Sequence, residues 1–159
     1  MALEIINLVS ETFYEPIVKR RVSCRALVVK DGKVLLSYEK NKDVYMSPGG
    51  GLEKDESLEQ CCEREVLEET GIIAKAGERL CTINEYVFNE LYIANYFRCE
   101  MIGRGALSLT KTEIEHGMEP VWVDIRSAVE IFSHYKEKTP DIASLYLREY
   151  TVLTKYINE

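Results

Sequence analysis

One stretch of the chain, Gly50–Ile72, constrains its folding more than any other. It reads GGLEKDESLEQCCEREVLEETGI. Ser57 and Gln60 have the spacing of a capping box, in which each side chain bonds the backbone of the other at a helix start. Gly71 suits the left-handed position that follows a helix end. These signals predict a helix over Leu58–Thr70.

The acidic side chains of this helix lie in an unusual place. At about 100° per residue, Glu65 and Glu69 fall on the same side as the apolar residues, and Glu68 lies at its margin. Because three crowded carboxylates raise one another's pKa and oppose folding, they require a positive partner. Arg64 reaches Glu68 at i+4 but cannot neutralise three acids. Two interpretations stay open: a hard divalent cation with oxygen ligands, or a structural cluster paired with Arg and Lys.

The segment Pro48–Gly51 precedes the helix and contains three consecutive glycines. Glycines let the backbone come close to a ligand or a metal because no side chain stands in the way. By itself this segment indicates only a flexible turn. Beside an acidic helix, it indicates one wall of a site for a diphosphate.

The stretch as a whole fits the pattern G-x5-E-x7-R-E-U-x-E-E-x-G-U, where U is a bulky aliphatic residue. The positions are filled without a gap by Gly50, Glu56, Arg64, Glu65, Val66, Glu68, Glu69, Gly71 and Ile72. At ordinary residue frequencies, a chance match of the identity positions has odds on the order of 10⁻⁸ to 10⁻⁷ per starting point. This pattern is the signature of the Nudix hydrolases, and the chain resembles that family.

The resemblance implies a divalent cation, Mg²⁺ or Mn²⁺, at the helix. In the family, glutamates of the helix bind the cation, the first glycine of the pattern offers its carbonyl, and the glutamate before the helix supports the site. Carried over position by position, the metal residues are Gly50, Glu56, Glu65, Glu68 and Glu69. Arg64 corresponds to the residue that orients the glutamates.

The reaction that the resemblance implies is attack by water on a phosphorus of a nucleoside diphosphate derivative. The substrate would be a small nucleotide: a nucleoside triphosphate, a nucleotide sugar or a dinucleotide. The catalytic residues carried over from the pattern are Arg64, Glu65, Glu68 and Glu69.

A further catalytic glutamate is expected from the segment before Trp122, where relatives often carry one. Glu113, Glu115 and Glu119 all lie there, and for each the alternative is a solvated loop acid. Glu113 is favoured slightly over the other two. Lys40, in a loop beside the expected phosphate site, is predicted to bind substrate, with a solvated lysine as the alternative.

The resemblance leaves open the substrate and a second class of function. Family members that cleave ADP-ribose often carry a proline soon after the pattern, whereas the next proline here is Pro120. That spacing weakens the case for ADP-ribose. The alternative function is a catalytically silent nucleotide-binding sensor on the same fold. Such sensors usually lose glutamates or the arginine of the pattern, and this chain retains them all.

Composition narrows the class of molecule. With 159 residues, 46% of them hydrophobic, residues 1–159 are predicted to form a single domain with its own core. The net charge of −7 argues against a nucleic acid polymer or a membrane surface as partner. No signal peptide and no stretch of membrane-spanning length is apparent. The five cysteines fit no zinc pattern, and a reducing cytoplasm is the expected location.

Alternating apolar residues and turn signals predict the rest of the fold. Strands are predicted over Arg21–Lys30, Val34–Tyr38, Ala74–Phe88, Leu91–Ile102 and Val121–Val123, with helices over Ile125–Ser133 and 140–157. The fold class is therefore α/β with a mixed β-sheet between helices, which the resemblance specifies as an α/β/α sandwich. Within residues 1–20, Leu3–Val9 is predicted to add an edge strand or to form a homodimer contact.

Overall fold

The computed structural model describes residues 3–157, which form one mixed sheet with helices on both of its faces. The strands are β1 (Glu4–Val9), β2 (Lys19–Lys30), β3 (Lys33–Glu39), β4 (Val44–Met46), β5 (Gly49–Gly51), β6 (Ile72–Val87), β7 (Glu90–Arg104) and β8 (Met118–Asp124). The helices are α1 (Leu58–Thr70), α2 (Lys111–Glu115), α3 (Ile125–Ser133) and α4 (Pro140–Tyr156), with a 3₁₀ turn over Tyr135–Glu137. The strand order is β1-β6-β7-β2-β3-β4, while β5 pairs with β2 and β8 with β3.

Two apolar cores lie on opposite faces of the sheet because successive residues of a strand point to opposite sides. Leu27 of β2 packs with Phe132 of α3 and Tyr146 of α4. Val28, the next residue of β2, belongs to the other core, together with Val66 of α1. Helix α1 therefore covers the face opposite α3 and α4. This arrangement confirms the predicted α/β fold with its mixed sheet between helices.

Two hairpins show how local residues set the register of the strands. Between β2 and β3, Asp31 and Gly32 have φ angles of 52° and 74°, the left-handed pair of a type I′ turn. Antiparallel β6 and β7 meet at a tip where Phe88 has a φ of 50°, an angle that is rare for a bulky residue. The N-terminal segment holds this tip, since the Tyr14 amide donates to the Phe88 carbonyl at 2.8 Å.

Strand β1 extends the sheet at its edge. It runs parallel to β6, with Glu4 beside Cys81 and Val9 beside Tyr86. Its outward side chains include Ile5, of which 63% is exposed. The expected homodimer contact through this segment stays a prediction.

A short helix stands where the sequence predicts only a loop before β8. Helix α2 has five residues and is closed at its start by a reciprocal cap. Oγ1 of Thr110 accepts from the Glu113 amide at 3.2 Å, and Oε1 of Glu113 accepts from the Thr110 amide at 2.8 Å. Since so short a helix is marginal by itself, these caps contribute much of what keeps it formed.

All five cysteines are free and buried. Cys61 and Cys62 of α1 pack in one core with Cys24 and Cys99, and the Sγ atoms of Cys62 and Cys99 lie 3.6 Å apart. They act there as small apolar residues. None of the helices between residues 3 and 157 combines the length and the apolarity that a bilayer-spanning segment requires.

Candidate functional site

The caps of α1 fix where its acidic side chains emerge. Oγ of Ser57 accepts from the Gln60 amide at 3.1 Å, and Oε1 of Gln60 accepts from the Ser57 amide at 2.8 Å. Gly71 ends the helix with a φ of 73° and donates its amide to the Leu67 carbonyl at 2.9 Å. The helix therefore spans Leu58–Thr70, the range that its capping residues predict.

Arg64 is the centre of a carboxylate cluster. Its guanidinium donates to Glu56 through Nε at 3.0 Å and through Nη2 at 2.8 Å. Nη1 donates to Oε1 of Glu65 at 2.9 Å and to Oε2 of Glu68 at 3.1 Å. Nη2 also bonds the Gly51 carbonyl at 3.1 Å, which ties the glycine strand to the helix. The hydrogen bonds from Arg64 lower the pKa of Glu56 to about 2.

Glu69 is the most deeply buried acid of the helix, with 2% of its surface exposed. Oε1 accepts from Oγ of Ser37 at 3.0 Å and from the Gly49 amide at 3.2 Å. Burial raises the pKa of Glu69 to about 8, although the charge of Arg25 and the Gly49 amide act in the opposite direction. This carboxylate therefore stands in a place where a further cation would stabilise its charged form.

Glu65 also has a raised pKa, chiefly because its carboxyl is desolvated. The charges of Glu68 and Glu113 add to this effect, and Arg64 opposes it. By side chain, 14% of Glu65 is exposed against 40% of Glu68, so Glu68 is the more open to water. One side of α1 thus carries a buried acid, Glu69, a half-buried acid, Glu65, and a more accessible acid, Glu68.

The glycines of β5 bring backbone against these carboxylates. Gly49, Gly50 and Gly51 pair antiparallel with β2. A β-carbon on Gly50 would lie 2.5 Å from Cδ of Glu65, a distance that real contacts do not reach. Position 50 can therefore hold only glycine while Glu65 keeps its place, and the absent side chain is what admits the carboxylate.

The oxygen donors of the site fit a hard divalent cation. Carboxylate and carbonyl oxygens are the ligands that Mg²⁺ and Mn²⁺ prefer, and a bound cation would offset the desolvation that raises the pKa values of Glu65 and Glu69. Among residues 3–157, no three acidic, histidine or cysteine side chains already converge on one point as metal ligands. Glu65 and Glu68 face the guanidinium of Arg64, and Glu69 faces Ser37.

Of Glu113, Glu115 and Glu119, which all stay candidates for the further catalytic glutamate, Glu113 is close enough to α1 for its charge to act on two of the acids. Its charge raises the pKa of both Glu65 and Glu69, and its side chain is half-buried. Glu115 and Glu119 are exposed. The cap on α2 keeps the Glu113 carboxyl in place, a feature that the sequence shows as the Thr110–Glu113 spacing.

Lys40, the expected substrate-binding residue, is exposed on the β3–β4 connection. Its amide donates to the Gly117 carbonyl at 3.3 Å, and Cγ packs where a β-carbon of Gly117 would stand. Nearby, Nδ1 of His116 lies 2.5 Å from Oε2 of Glu39. In the described part of the chain, no hydrogen bond or ion pair joins Lys40 to the carboxylates of α1.

A cavity of about 370 Å³ adjoins the glycine strand, and the sequence did not predict it. It is lined by residues of β2, the β6–β7 hairpin and α4: Arg21, Ser23, Arg25, Glu85, Val87, Phe88, Glu90, Tyr92, Asp141, Leu145 and Arg148. The signal that could have indicated it is the alternation of the polar residues Arg21, Ser23 and Arg25 with the apolar residues Val22, Cys24 and Ala26.

Two arginines join this cavity to the glycines. A β-carbon on Gly51 would lie 3.2 Å from Nη2 of Arg21, and one on Gly49 would lie 2.8 Å from Cδ of Arg25. Nη1 of Arg25 donates to the Ser47 carbonyl at 3.0 Å. Neither guanidinium is ion-paired with a carboxylate of residues 3–157, so both stay available to an anionic ligand.

Comparison with known proteins gives a family match over most of the chain. The family model described as the NUDIX domain matches residues 19–145. An ADP-ribose pyrophosphatase of Methanocaldococcus jannaschii is 33% identical over 90 residues, which are 47% of this chain and 53% of the relative. The match therefore spans about half the length of that protein.

Solved structures share the fold. A NUDIX hydrolase from Nitrosomonas europaea superposes with a TM-score of 0.62 at 23% identity, covering 84% of this chain and 89% of that one. An ADP-ribose pyrophosphatase from Streptococcus suis 89-1591 has a TM-score of 0.57 at 15% identity, covering 87% of this chain and 92% of that one. At these identities the likeness is one of fold.

Proposed function

The chain belongs to the Nudix family, and from that premise we propose that it is a metal-dependent hydrolase that cleaves the diphosphate linkage of a nucleoside diphosphate derivative. The observation that carries the proposal is the contact of the carboxylates of Glu65 and Glu69 with the glycine strand. Glu69 accepts from the Gly49 amide at 3.2 Å, and Glu65 fills the space where a side chain of Gly50 would stand. A structural acidic cluster has no need of that open backbone.

The residues that would hold Mg²⁺ or Mn²⁺ are Gly50, through its carbonyl, and the carboxylates Glu65, Glu68 and Glu69, with Glu56 supporting the site through Arg64. When bound, such a cation offsets charge on the diphosphate and lowers the pKa of water. Arg64 keeps Glu65 and Glu68 turned to the same side of α1, and it neutralises part of their mutual repulsion.

Two carboxylates are our candidates for the group that takes a proton from the attacking water. Glu68 is the accessible acid of α1, and Glu113 faces the same cluster from α2. Glu65 and Glu69 are less suited to this role because they are less accessible to water: Glu69 is 2% exposed, and the side chain of Glu65 is 14% exposed against 40% for Glu68. A general base must reach the water whose proton it accepts.

The cavity beside the glycines indicates where the rest of the substrate would lie. Arg21 and Arg25 stand at its diphosphate end, where guanidinium groups suit phosphate oxygens. Tyr92 is the register partner of Arg21 on β7, and Phe88, 42% exposed, lines the cavity at the β6–β7 hairpin; a sugar or a base would pack on these rings. Because the M. jannaschii relative is an ADP-ribose pyrophosphatase, ADP-ribose is the first substrate to test, despite the missing proline marker.

A turnover panel tests the proposal. It would present ADP-ribose, nucleotide sugars, nucleoside triphosphates and dinucleotides with Mg²⁺ or Mn²⁺, resolve the products by chromatography, and use Glu69→Gln as the blank. We expect metal-dependent release of a nucleoside monophosphate from one class, and none from the blank. Nucleotide binding without turnover on any substrate would favour the sensor alternative and overturn the hydrolase proposal.

A further inference from the structure

A network of buried polar side chains joins α4 to strands β6 and β7 and does not include the acids of α1. Glu149, 2% exposed, accepts at Oε1 from Nη2 of Arg148 and from the Tyr96 hydroxyl, each at 2.9 Å. Arg148 also donates through Nη1 to Oε1 of Glu85 at 2.7 Å. The second oxygen of the same carboxylate, Oε2 of Glu85, accepts from the hydroxyl of Ser144 of α4 at 2.7 Å.

Stability alone does not account for such a network. Burying charges costs desolvation free energy that the ion pairs often fail to recover, and apolar replacements of similar volume are often as stable. A buried polar cluster whose members are bonded does, however, fix a single arrangement of the elements that it joins. The question is therefore which element Glu149 holds in place.

The element is the segment that leads into the glycine strand. Oγ of Ser47 donates to Oε1 of Glu149 at 2.7 Å, and Ser47 is only 4% exposed. Two residues later, the Gly49 amide donates to Oε1 of Glu69 at 3.2 Å. One end of Ser47–Gly49 is thus bonded to α4, and the other end is bonded to the most buried acid of α1.

A second bond from α4 holds the other side of this segment. The Tyr146 hydroxyl accepts from the Tyr45 amide at 3.1 Å, within β4. Tyr146 and Glu149 are three residues apart and therefore project from the same face of α4. The C-terminal helix thus contacts both flanks of Met46, directly before the proline and glycines.

We propose that Glu149 is a positioning residue for the metal and diphosphate site. Through Ser47, it holds the backbone of Gly49 and Gly50 against Glu69 and Glu65, so that the carboxylates and the Gly50 carbonyl keep the spacing that a cation requires. Glu149 touches neither substrate nor metal. The inference rests on the proposed hydrolase function for its consequence in turnover, but its structural part concerns the Gly49–Glu69 bond.

Two matched serine variants test this role. Ser47→Ala and Ser144→Ala each remove one buried hydroxyl that donates to a buried carboxylate at 2.7 Å, on the same network. Three quantities would be measured: the affinity for Mn²⁺ alone by electron paramagnetic resonance, the hydrogen exchange of the Gly49 amide by NMR, and kcat and KM. Melting temperatures record the cost in stability of each change.

We expect both variants to lose similar stability, seen as similar falls in melting temperature. Only Ser47→Ala should bind Mn²⁺ about 10-fold more weakly, exchange the Gly49 amide faster and lose kcat with little change in KM. Glu149→Gln keeps an acceptor for the Ser47 hydroxyl, although it loses the ion pair with Arg148. Its Mn²⁺ affinity should therefore stay close to that of the unmodified protein.

Equal Mn²⁺ affinity and equal Gly49 exchange in the two serine variants would overturn the inference. The same holds if Glu149→Ala, which removes the acceptor of the Ser47 hydroxyl, keeps the Mn²⁺ affinity and the Gly49 exchange of the unmodified protein. Failure of the proposed hydrolase function would look different, because the unmodified protein itself would then show no turnover. In that case the Gly49 exchange still decides whether Glu149 positions the strand.

Discussion

Gly50 leaves no room for a side chain beside Glu65: a β-carbon at position 50 would lie 2.5 to 2.6 Å from the three carboxyl atoms. The contact joins β5, the strand of the glycines, to the helix that carries the acids. It makes the position of one carboxylate depend on the absence of a single methyl group.

Gly50→Ala should therefore displace Glu65 and weaken the site more than the fold. We expect Mn²⁺ affinity to fall about 10- to 100-fold, as for residues that orient metal ligands, with kcat falling in parallel. Gly103→Ala is the control, because its β-carbon would meet Ile73 at an ordinary 3.6 Å. Titration with Mn²⁺ and steady-state kinetics check both variants; equal behaviour would show that Glu65 moves without consequence.

The pH dependence of stability should reveal the buried carboxyl of Glu69. Its pKa is raised by burial from 4.5 to about 8, so folding favours the protonated form. In metal-free buffer, its contribution is full below pH 4.5 and is lost as pH rises through about 8, by up to about 5 kcal/mol at about 1.36 kcal/mol per unit. Urea unfolding at several pH values measures this fall.

Glu69→Gln supplies the comparison for that profile. The amide keeps an acceptor for Ser37 and Gly49 but carries no charge, so between pH 5 and pH 8 the stability of the variant should fall less than that of the unmodified protein, while turnover is abolished. The pKa of Glu56 is lowered to about 2, so its contribution to stability is present at neutral pH and is lost only as pH falls from 4.5 towards 2. This pH range is separate from the one in which Glu69 acts. Parallel profiles for the unmodified protein and the variant would contradict a buried neutral Glu69.

Arg64→Lys should disconnect the carboxylates from the glycine strand. A lysine cannot reproduce the five bonds that the planar guanidinium makes to Glu56, Glu65, Glu68 and Gly51. We expect metal affinity to drop about 10- to 100-fold. Arg98→Lys, which alters a single bond to the Tyr156 carbonyl, is the control and should retain activity. Manganese binding that survives the Arg64 change would assign this arginine to stability alone.

Glu113→Gln should lower kcat, whereas Glu115→Gln should leave it unchanged. Both residues belong to α2, but Glu113 is half-buried and its charge contributes to the raised pKa of Glu65 and Glu69, whereas Glu115 is exposed. The side-chain amide that this change introduces can still accept from the Thr110 backbone, so the helix cap is retained. Loss of general base catalysis costs about 10²- to 10⁴-fold. A full rate in the Glu113 variant would leave Glu68 as the base.

Arg21→Gln should raise KM more than it lowers kcat, because Arg21 lines the proposed substrate cavity and is not one of the acids of α1. Arg20→Gln is the matched control. Arg20 precedes it on β2 and points to the other face of the strand. Initial rates over a range of substrate concentrations separate the two constants. Equal KM values in both variants would show that substrate does not occupy this cavity.

Local interactions explain why the sequence predicts α1 so well. Ser57, Gln60 and Gly71 act on backbone groups within four residues of themselves, so the limits of the helix follow from their order in the chain. The family pattern depends on the same local spacing, and the NUDIX domain match over residues 19–145 agrees with it. The glycines, the acids and Arg64 are all adjacent in that stretch.

Contacts between residues that are far apart in the chain could not be predicted from the sequence. Ser47 and Glu149 are 102 positions apart, and Ser37 reaches Glu69 across 32. No local spacing marks such pairs, since each depends on how α4 and β3 pack against the strands between them. For the same reason, the sequence does not show that Arg21 and Arg25 line a cavity beside the glycines, and substrate binding by Lys40 stays a prediction.

The sequence by itself determined the helix, its caps, the acidic and glycine positions and the family, because these depend on residues within a turn or two of one another. Only the tertiary structure decided that Glu69 is buried, which raises its pKa to about 8, that the charge of Glu113 acts on Glu65 and Glu69, and that Glu149 of α4 bonds Ser47. Burial and charge proximity are properties of packing. They arise only when β2, α1 and α4 come together on the sheet.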